Sequence, residues 1–173
     1  MSTEPSPADL LIDALSRVRE VVRSTVAGLS SEQLGFQPGG EGNSIGWLVW
    51  HLTRVQDDHL ADASGGEQVW TSGDWRDRFD LPFEAAATGY GQSAEEVAAV
   101  WIPSADLLID YHDAVFERSS QYLSGLSAGD LGRIVDDSWD PPVTLAVRLV
   151  SVISDDLQHA GQAAYVKGLL PAN

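Results

Sequence analysis

Asp155 and His159 are the residues best placed to do chemistry together, because they lie four positions apart in the most apolar part of the sequence, residues 144–170. On a helix, that spacing puts both side chains on one face. The residues just before them leave almost no polar face, which predicts a buried helix. A buried carboxylate and a buried imidazole must be paired, hydrogen-bonded or bound to a metal, so the pair predicts two of the three ligands of a metal site. We expect the neighbouring Asp156 to point to solvent or to a partner helix.

The third ligand must come from elsewhere in the chain, which contains four histidines: His51, His59, His112 and His159. His51 lies beside the core-facing seam of a predicted helix, on a stripe with Trp47 and Asp58. A single histidine on an apolar helix face is more often a hydrogen-bonded core residue than a ligand. Asp155 could equally cap a buried network. The spacing alone therefore leaves a metal site and a plain buried network as alternatives.

The hydrophobic spacing predicts an all-α fold, a four-helix bundle with a long crossover between its second and third helices. The first helix is predicted to start at Ser6, the second to run from about Ile45 to about Ala63, the third to begin near Ser93 and the last near Thr144. Pro103 is expected to kink or restart the third helix, whose core-facing residues include Trp101. The crossover, residues 64–92, is rich in aromatic residues and is expected to pack. The β-branched run 143–152 allows a strand, but its continuation favours a helix.

The composition limits the classes of function. The 173 residues are expected to form one domain, 1–173, and the net charge of −16 argues against nucleic acids and anionic membranes as partners. The chain has no cysteine, so any thiol must arrive with a substrate. The N-terminus lacks the segments of a signal peptide, and the last helix is too short and too interrupted by polar residues to span a membrane. We therefore expect a cytoplasmic protein.

Two segments resemble the signatures of the DinB-like superfamily. Asn43 to Leu52 resembles its second-helix motif, His159 to Gln162 resembles its last-helix motif, and the turn 29–34 followed by Pro38 fits the same family. The resemblance implies a four-helix bundle with a metal held by one histidine of the second helix and two residues, four apart, of the fourth. Those positions correspond here to His51, Asp155 and His159. Many members have histidine where Asp155 stands, and the similar mycothiol-dependent maleylpyruvate isomerases have glutamate. The shorter aspartate would place the metal closer to the last helix, or would weaken or abolish the site.

Two imidazoles and one carboxylate form a ligand set typical of catalytic zinc, and nickel, manganese or iron(II) could occupy it too. The resemblance implies a thiol S-transferase that uses mycothiol or a similar thiol as cosubstrate. Our leading hypothesis is a metal-dependent enzyme that conjugates or isomerises an electrophilic small molecule with such a thiol. One alternative is a metal-dependent hydrolase that attacks with metal-bound hydroxide. Another is a non-enzymatic, stress-related bundle that binds a small molecule. The resemblance also suggests a homodimer.

Further residues are candidates for supporting roles in this chemistry. His59 and His112 are candidates for proton transfer, although a plain core or surface position is the favoured interpretation for each. Arg76 and Arg78, on the crossover, could bind a substrate carboxylate, but a solvated loop charge explains them as well. Trp47 is a candidate for substrate contact or for core packing. Gln162 lies one turn beyond His159 and could orient a ligand.

Overall fold

The computed structural model describes residues 5–171, which form eight α-helices, two 3₁₀ turns and one small hairpin. The helices are α1 (Pro7–Val26), α2 (Ser31–Leu34), α3 (Ile45–Ser64), α4 (Val69–Ser72), α5 (Trp75–Phe79), α6 (Ala94–Ala98), α7 (Ala105–Ser124) and α8 (Leu145–Gly168). The 3₁₀ turns are Pro38–Gly40 and Ala128–Gly132, and the hairpin strands are β1 (Ile134–Asp136) and β2 (Val143–Thr144).

The four long helices pack as a bundle. Both α1 and α3 lie against α7 and α8, so α1 and α3 stand on opposite corners. Their inward faces supply a core of aliphatic and aromatic side chains that includes Val18, Val22, Leu48, Leu52, Leu108, Val115, Leu149 and Val152. The predicted all-α bundle is confirmed, with a crossover between its second and third long helices.

Side-chain caps explain where the helices begin. Ser6 accepts a hydrogen bond from the backbone N–H of Asp9, whose carboxylate in turn accepts from the Ser6 backbone. Ser44 caps α3. The helix that starts at Ser93 ends at Ala98, and α7 begins only after Pro103, with Ser104 as its cap. The prediction that Trp101 faces the core is wrong, because Trp101 lies in the link between these two helices and is 55% exposed.

The crossover packs against α3 and α7, as its aromatic content predicted. The carboxylate of Asp57 on α3 accepts the backbone N–H groups of Val69 and Trp70 at 2.8 Å each, which caps α4. The hydroxyl of Tyr111 on α7 donates to the same carboxylate at 2.8 Å. The Trp70 ring packs on that of Tyr111 with 5.3 Å between centroids. One buried acid therefore ties the start of the crossover to two long helices.

The end of the crossover is held by Arg54, whose side chain is fully buried. Its guanidinium donates to the backbone carbonyls of Ala87 at 3.1 Å and Ala85 at 3.5 Å, and lies 5.0 Å from the centroid of the Trp70 ring. Its counter-charge is Asp57, at 3.5 Å. A buried charge must be satisfied in this way, so α3 fixes the path of residues 85–87.

The short hairpin before α8 was not predicted. β1 and β2 pair antiparallel, with Ile134 opposite Thr144. The β-branched run 143–152 is extended only at Val143 and Thr144, because Thr144 caps α8 through the backbone N–H of Val147. The expectation of an all-helical chain therefore misses this short hairpin.

The last helix is not buried on all sides, contrary to the sequence prediction. Its core-facing stripe is Leu145, Leu149, Val152, Asp156, Ala160, Ala163 and Val166. Val147 and Val150 face outward and are 53% and 63% exposed. The apolar residues before Asp155 therefore serve two faces of the helix, only one of which packs in the bundle.

Asp156 does not point to solvent, because it falls on the core-facing stripe, four residues after Val152 and four before Ala160. It is fully buried, and neither carboxylate oxygen has a hydrogen-bond partner among residues 5–171. Burial, and next the charge of Asp155, raise the pKa of Asp156 well above its ordinary value. The bundle interior therefore favours the neutral acid over the carboxylate at this position.

Within residues 5–171, no helix combines the length and the apolar character that crossing a membrane requires.

His112 is a core residue of α7, fully buried between helices. The Thr53 hydroxyl donates to the carbonyl of Val49 at 2.7 Å, so its oxygen accepts from Nδ1 of His112 at 3.0 Å. The Nε2 atom of His112 has no partner among the described residues. Burial lowers the pKa of His112 to about 4, with Asp113 opposing the shift and Arg19 and Arg23 adding to it. This environment favours the neutral ring.

We expect His112 to make the fold sensitive to acid. The unfolded chain takes up the histidine proton below its ordinary pKa of 6.5, whereas the folded chain does so only near pH 4, so stability falls between these values. Protonation of this residue is expected to lower the free energy of unfolding by about 3 kcal/mol across this pH range. Urea unfolding of the wild type and of His112→Asn between pH 4 and 7 measures it. The variant should show a shallower dependence on pH, and equal dependence would contradict the assignment.

Candidate metal centre

His51 lies in the second turn of α3, and its side chain is buried. Its Nδ1 atom is hydrogen-bonded to the backbone carbonyl of Thr88. Because a carbonyl oxygen only accepts, Nδ1 carries the proton and Nε2 is left with a free lone pair. Burial lowers the pKa of His51 by more than the Thr88 hydrogen bond raises it. The neutral ring that results is the form that binds a metal.

His159 is arranged in the same way on α8. Its Nδ1 atom lies 2.9 Å from the backbone carbonyl of Asp155 and 3.2 Å from the Oδ2 atom of the same residue. Nδ1 therefore donates, and Nε2 remains free. Burial disfavours the charged ring, but the hydrogen bonds and the charge of Asp155 outweigh it and raise the pKa of His159. Asp155 thus orients the imidazole and supplies the negative charge beside it.

The structure brings His51, Asp155 and His159 together. One ligand atom from each lies within 4.8 Å of the others, and the two imidazole rings meet edge to face with 4.6 Å between centroids. Bonds of about 2.1 Å place two donors of one ion no more than about 4.2 Å apart, so small side-chain movements close this set on a cation. Two free imidazole lone pairs and a carboxylate fit zinc and other divalent metals.

Close packing fixes the orientation of the His51 ring. Trp47 stacks on it with 4.6 Å between centroids and an angle of 12°, and the Trp47 Nε1 atom donates to Gln92 at 2.8 Å. Gly89 has a φ of +95°, and a Cβ atom there would lie 2.7 Å from Nδ1 of His51. The same atom would meet the rings of Trp47 and Trp50 at 3.2 Å. Only glycine lets the backbone approach the histidine this closely.

A cavity of about 490 Å³ opens beside the centre. Its lining residues are His51, Val55, Asp58, His59, Thr88, Tyr90, Trp139, Ser151, Val152 and Asp155. This volume suits a small organic molecule. A ligand in the cavity would lie against two of the three candidate ligand residues.

The other predicted site residues divide into one that reaches the cavity and several that do not. His59 lines it. His112 does not, because it is enclosed in the core, which matches the favoured interpretation of a plain core position. Trp47 is buried behind His51 and does not line the cavity. It packs on the ring of His51, and its predicted contact with a substrate stays a prediction.

Arg76, Arg78 and Gln162 also lie away from the cavity. Arg76 and Arg78 are on the exposed side of α5, where the Arg78 guanidinium stacks on Trp75 at 4.3 Å from the ring centroid. Neither arginine lines the cavity, and the predicted contact with a substrate carboxylate stays a prediction. Gln162 is exposed, and no hydrogen bond joins its side chain to the centre within residues 5–171. Helical spacing placed Gln162 near the site, but its side chain points outward.

Sequence reasoning missed the groups that the loops bring to the site. Thr88 and Gly89 act through their backbone, and Tyr90 and Trp139 line the cavity from two separate connections. The glycines flanking Tyr90 were a signal of a special backbone conformation. A hydrogen bond to a backbone carbonyl, such as that of Thr88, cannot be predicted from the type of residue that carries it.

We expect Gly89→Ala to weaken metal binding, because the added Cβ atom displaces His51. The control is Gly91→Ala. Gly91 also has a positive φ, +73°, but no atom lies within 4 Å of the Cβ atom that the substitution adds. Isothermal titration with zinc should show a loss of at least about tenfold in affinity for Gly89→Ala, typical of disturbed ligand support. Gly91→Ala should bind zinc like the wild type. Equal affinities in both variants would contradict a role for Gly89.

Comparison with known proteins agrees with this architecture. The family model of the DinB superfamily matches residues 14–163. A crystal structure of a conserved protein from Enterococcus faecalis is similar, with a TM-score of 0.89 and 30% sequence identity, over 95% of this chain and 97% of that one. No curated protein matches the chain. The matched length, the bundle and the two motifs together show that this chain belongs to the DinB superfamily.

Proposed function

We propose that the protein is a metal-dependent transferase that adds a low-molecular-weight thiol, with mycothiol as the first candidate, to an electrophilic small molecule. The observation that carries the proposal is the convergence of His51, Asp155 and His159 beside a cavity that the first two of them line. Zinc is the first candidate metal, and nickel, manganese and iron(II) are the others. The known thiol chemistry of the family supports the reaction class.

The ligand set suits the activation of a thiol. A divalent cation with an open position lowers the pKa of a coordinated thiol so that it reacts as the thiolate at neutral pH. His51 and His159 offer neutral nitrogens through Nε2, and Asp155 adds a single negative charge. The set therefore leaves net positive charge to balance a thiolate. The chain has no cysteine, so the nucleophile must be a cosubstrate.

His59 is placed to assist the electrophile in the same cavity. Its Nδ1 atom lies 3.4 Å from Nη1 of Arg148, and because arginine only donates, Nδ1 accepts and the proton resides on Nε2. Burial, and next the charge of Arg148, lower the pKa of His59. The neutral ring can donate its Nε2–H hydrogen bond to negative charge that develops on the substrate. We assign His59 this role and leave metal binding to the other three residues.

Metal content is the first test. Protein purified without a metal-affinity tag and analysed by mass spectrometry should carry about one divalent ion per chain, and His51→Ala, Asp155→Ala and His159→Ala should each lose it while circular dichroism stays helical. His59→Gln is the matched control and should keep the ion. Absence of metal after incubation with zinc, nickel, manganese and iron(II) would overturn the proposal.

Thiol dependence of turnover then tests the reaction. The loaded protein should consume an uncharged electrophile such as monochlorobimane only in the presence of mycothiol, bacillithiol or glutathione, and His59→Gln should lower kcat about 10²-fold. Disappearance of an ester or amide substrate without any thiol would instead indicate a hydrolase. A protein that binds metal but turns over neither class would indicate a binding role.

We also propose that the protein is a homodimer that pairs through the outer face of α8. Its exposed residues Val147, Val150, Leu157 and Tyr165 follow one side of the helix. An exposed apolar stripe of this kind marks an interaction surface, and a face without charge suits self-association in a chain of net charge −16. A two-fold axis would bring the same face of both copies together.

The dimer is tested by Val150→Glu, which places like charges opposite each other across the two-fold axis. Sedimentation equilibrium should show that the dissociation constant of the dimer is at least about tenfold higher than in the wild type. Leu10→Glu on α1 is the matched control, because Leu10 is equally exposed, at 65% against 63%. It should leave the dimer unchanged. A monomeric wild type, or equal effects of both substitutions, would contradict this interface.

A further inference from the structure

We propose that the cavity selects a substrate that carries an organic ammonium group, bound by the Asp58 carboxylate and by the rings of Tyr90 and Trp139. This inference rests on the proposed function, because it names the substrate class of the same site. The three residues line the cavity together with His51 and Asp155. They come from α3, from the crossover and from the loop between β1 and β2, so the fold collects them from three parts of the chain.

Asp58 presents a carboxylate with one oxygen available. Its Oδ1 atom accepts from Nε2 of Gln68 at 2.7 Å, which fixes the side chain. Its Oδ2 atom lies 3.9 Å from Nδ1 of His59, beyond hydrogen-bond distance. That nitrogen is already engaged by Arg148, so His59 provides no positive charge to Oδ2. Asp58 is therefore oriented but not neutralised.

The charges around the cavity favour a cation. Among the residues that line it, none is lysine or arginine, whereas two are aspartates. The nearby Arg148 is ion-paired with Asp136 at 2.9 Å and is directed to that carboxylate. A divalent ion at the metal centre would balance Asp155 but would leave Asp58 for the substrate. An anionic group would meet Asp58 without a compensating charge.

Two exposed aromatic rings complete the arrangement. Tyr90 is 94% exposed and Trp139 is 67% exposed, although both line the cavity. Large aromatic side chains at the edge of a cavity, beside an unpaired carboxylate, are the groups that bind ammonium ions through their ring faces. The aromatic rim and Asp58 therefore point to the same ligand chemistry from independent elements.

The test compares three probes of similar shape and different charge. They are the cation choline, its uncharged isostere tert-butylethanol, and the carboxylate anion of tert-butylacetic acid. Isothermal titration is done with the zinc-loaded and the metal-free protein at fixed ionic strength. Choline should bind at least about tenfold more tightly than the neutral isostere, and Asp58→Asn should remove most of that difference. Trp139→Ala should lower the affinity for choline about threefold to tenfold. Asp106→Asn, an exposed acid on α7, is the control with the same change in net charge and should have no effect.

Three outcomes overturn the inference: equal binding of choline and its neutral isostere, unchanged choline affinity in Asp58→Asn, or no choline binding at millimolar concentration. The metal-free protein separates this inference from the proposed function. Selective binding of choline that depends on Asp58, by a protein that holds no metal, would support the cavity assignment while the transferase fails. A metal-loaded, thiol-dependent enzyme that binds choline no better than the neutral isostere would support the proposed function and overturn this inference.

Discussion

The hydrogen bond between His51 and the carbonyl of Thr88 is the contact on which the site depends, and it exists because Arg54 is buried. A guanidinium enclosed in the bundle must find acceptors, and it finds them in the carbonyls of Ala85 and Ala87. These bonds hold the end of the crossover against α3, and the next carbonyl along the chain, that of Thr88, then reaches the histidine. A residue that is not itself a candidate ligand thereby sets which nitrogen of His51 is free.

The last helix separates two adjacent acids into different environments. Successive residues of a helix are rotated by about 100°, so Asp155 faces the cavity while Asp156 faces the core. Asp155 is hydrogen-bonded to His159, whereas Asp156 is fully buried with no hydrogen-bond partner in the described part of the chain. The rotation of a single residue decides which carboxylate lies at the candidate centre and which lies in the core.

Local patterns explain what the sequence predicts well. The bundle follows from helical spacing and from caps such as Ser6 and Ser44, and the pairing of Asp155 with His159 follows from an interval of four within one helix. The approach of His51 to that pair required the motif resemblance, since nothing in local spacing relates two segments about a hundred residues apart.

The errors have a common origin in contacts between distant segments. The positions of Trp101 and Asp156 and the outward direction of Gln162 depend on which helix face meets a neighbour. The positions of the aromatic residues at the cavity rim, Tyr90 and Trp139, depend on how two loops fold back over the bundle. Composition and periodicity carry little information about either, because both are settled by packing across the bundle.

The candidate ligands come from α3 and α8, two helices that lie far apart in the sequence, and this has a thermodynamic consequence. An ion that binds only the folded chain acts as a reversible cross-link between the second and the last long helix. At a free concentration of about a thousand times its dissociation constant, such an ion adds about 4 kcal/mol to the free energy of unfolding. The stability of the bundle would then follow the supply of metal in its surroundings, and a chelator would act on the protein as a mild denaturant.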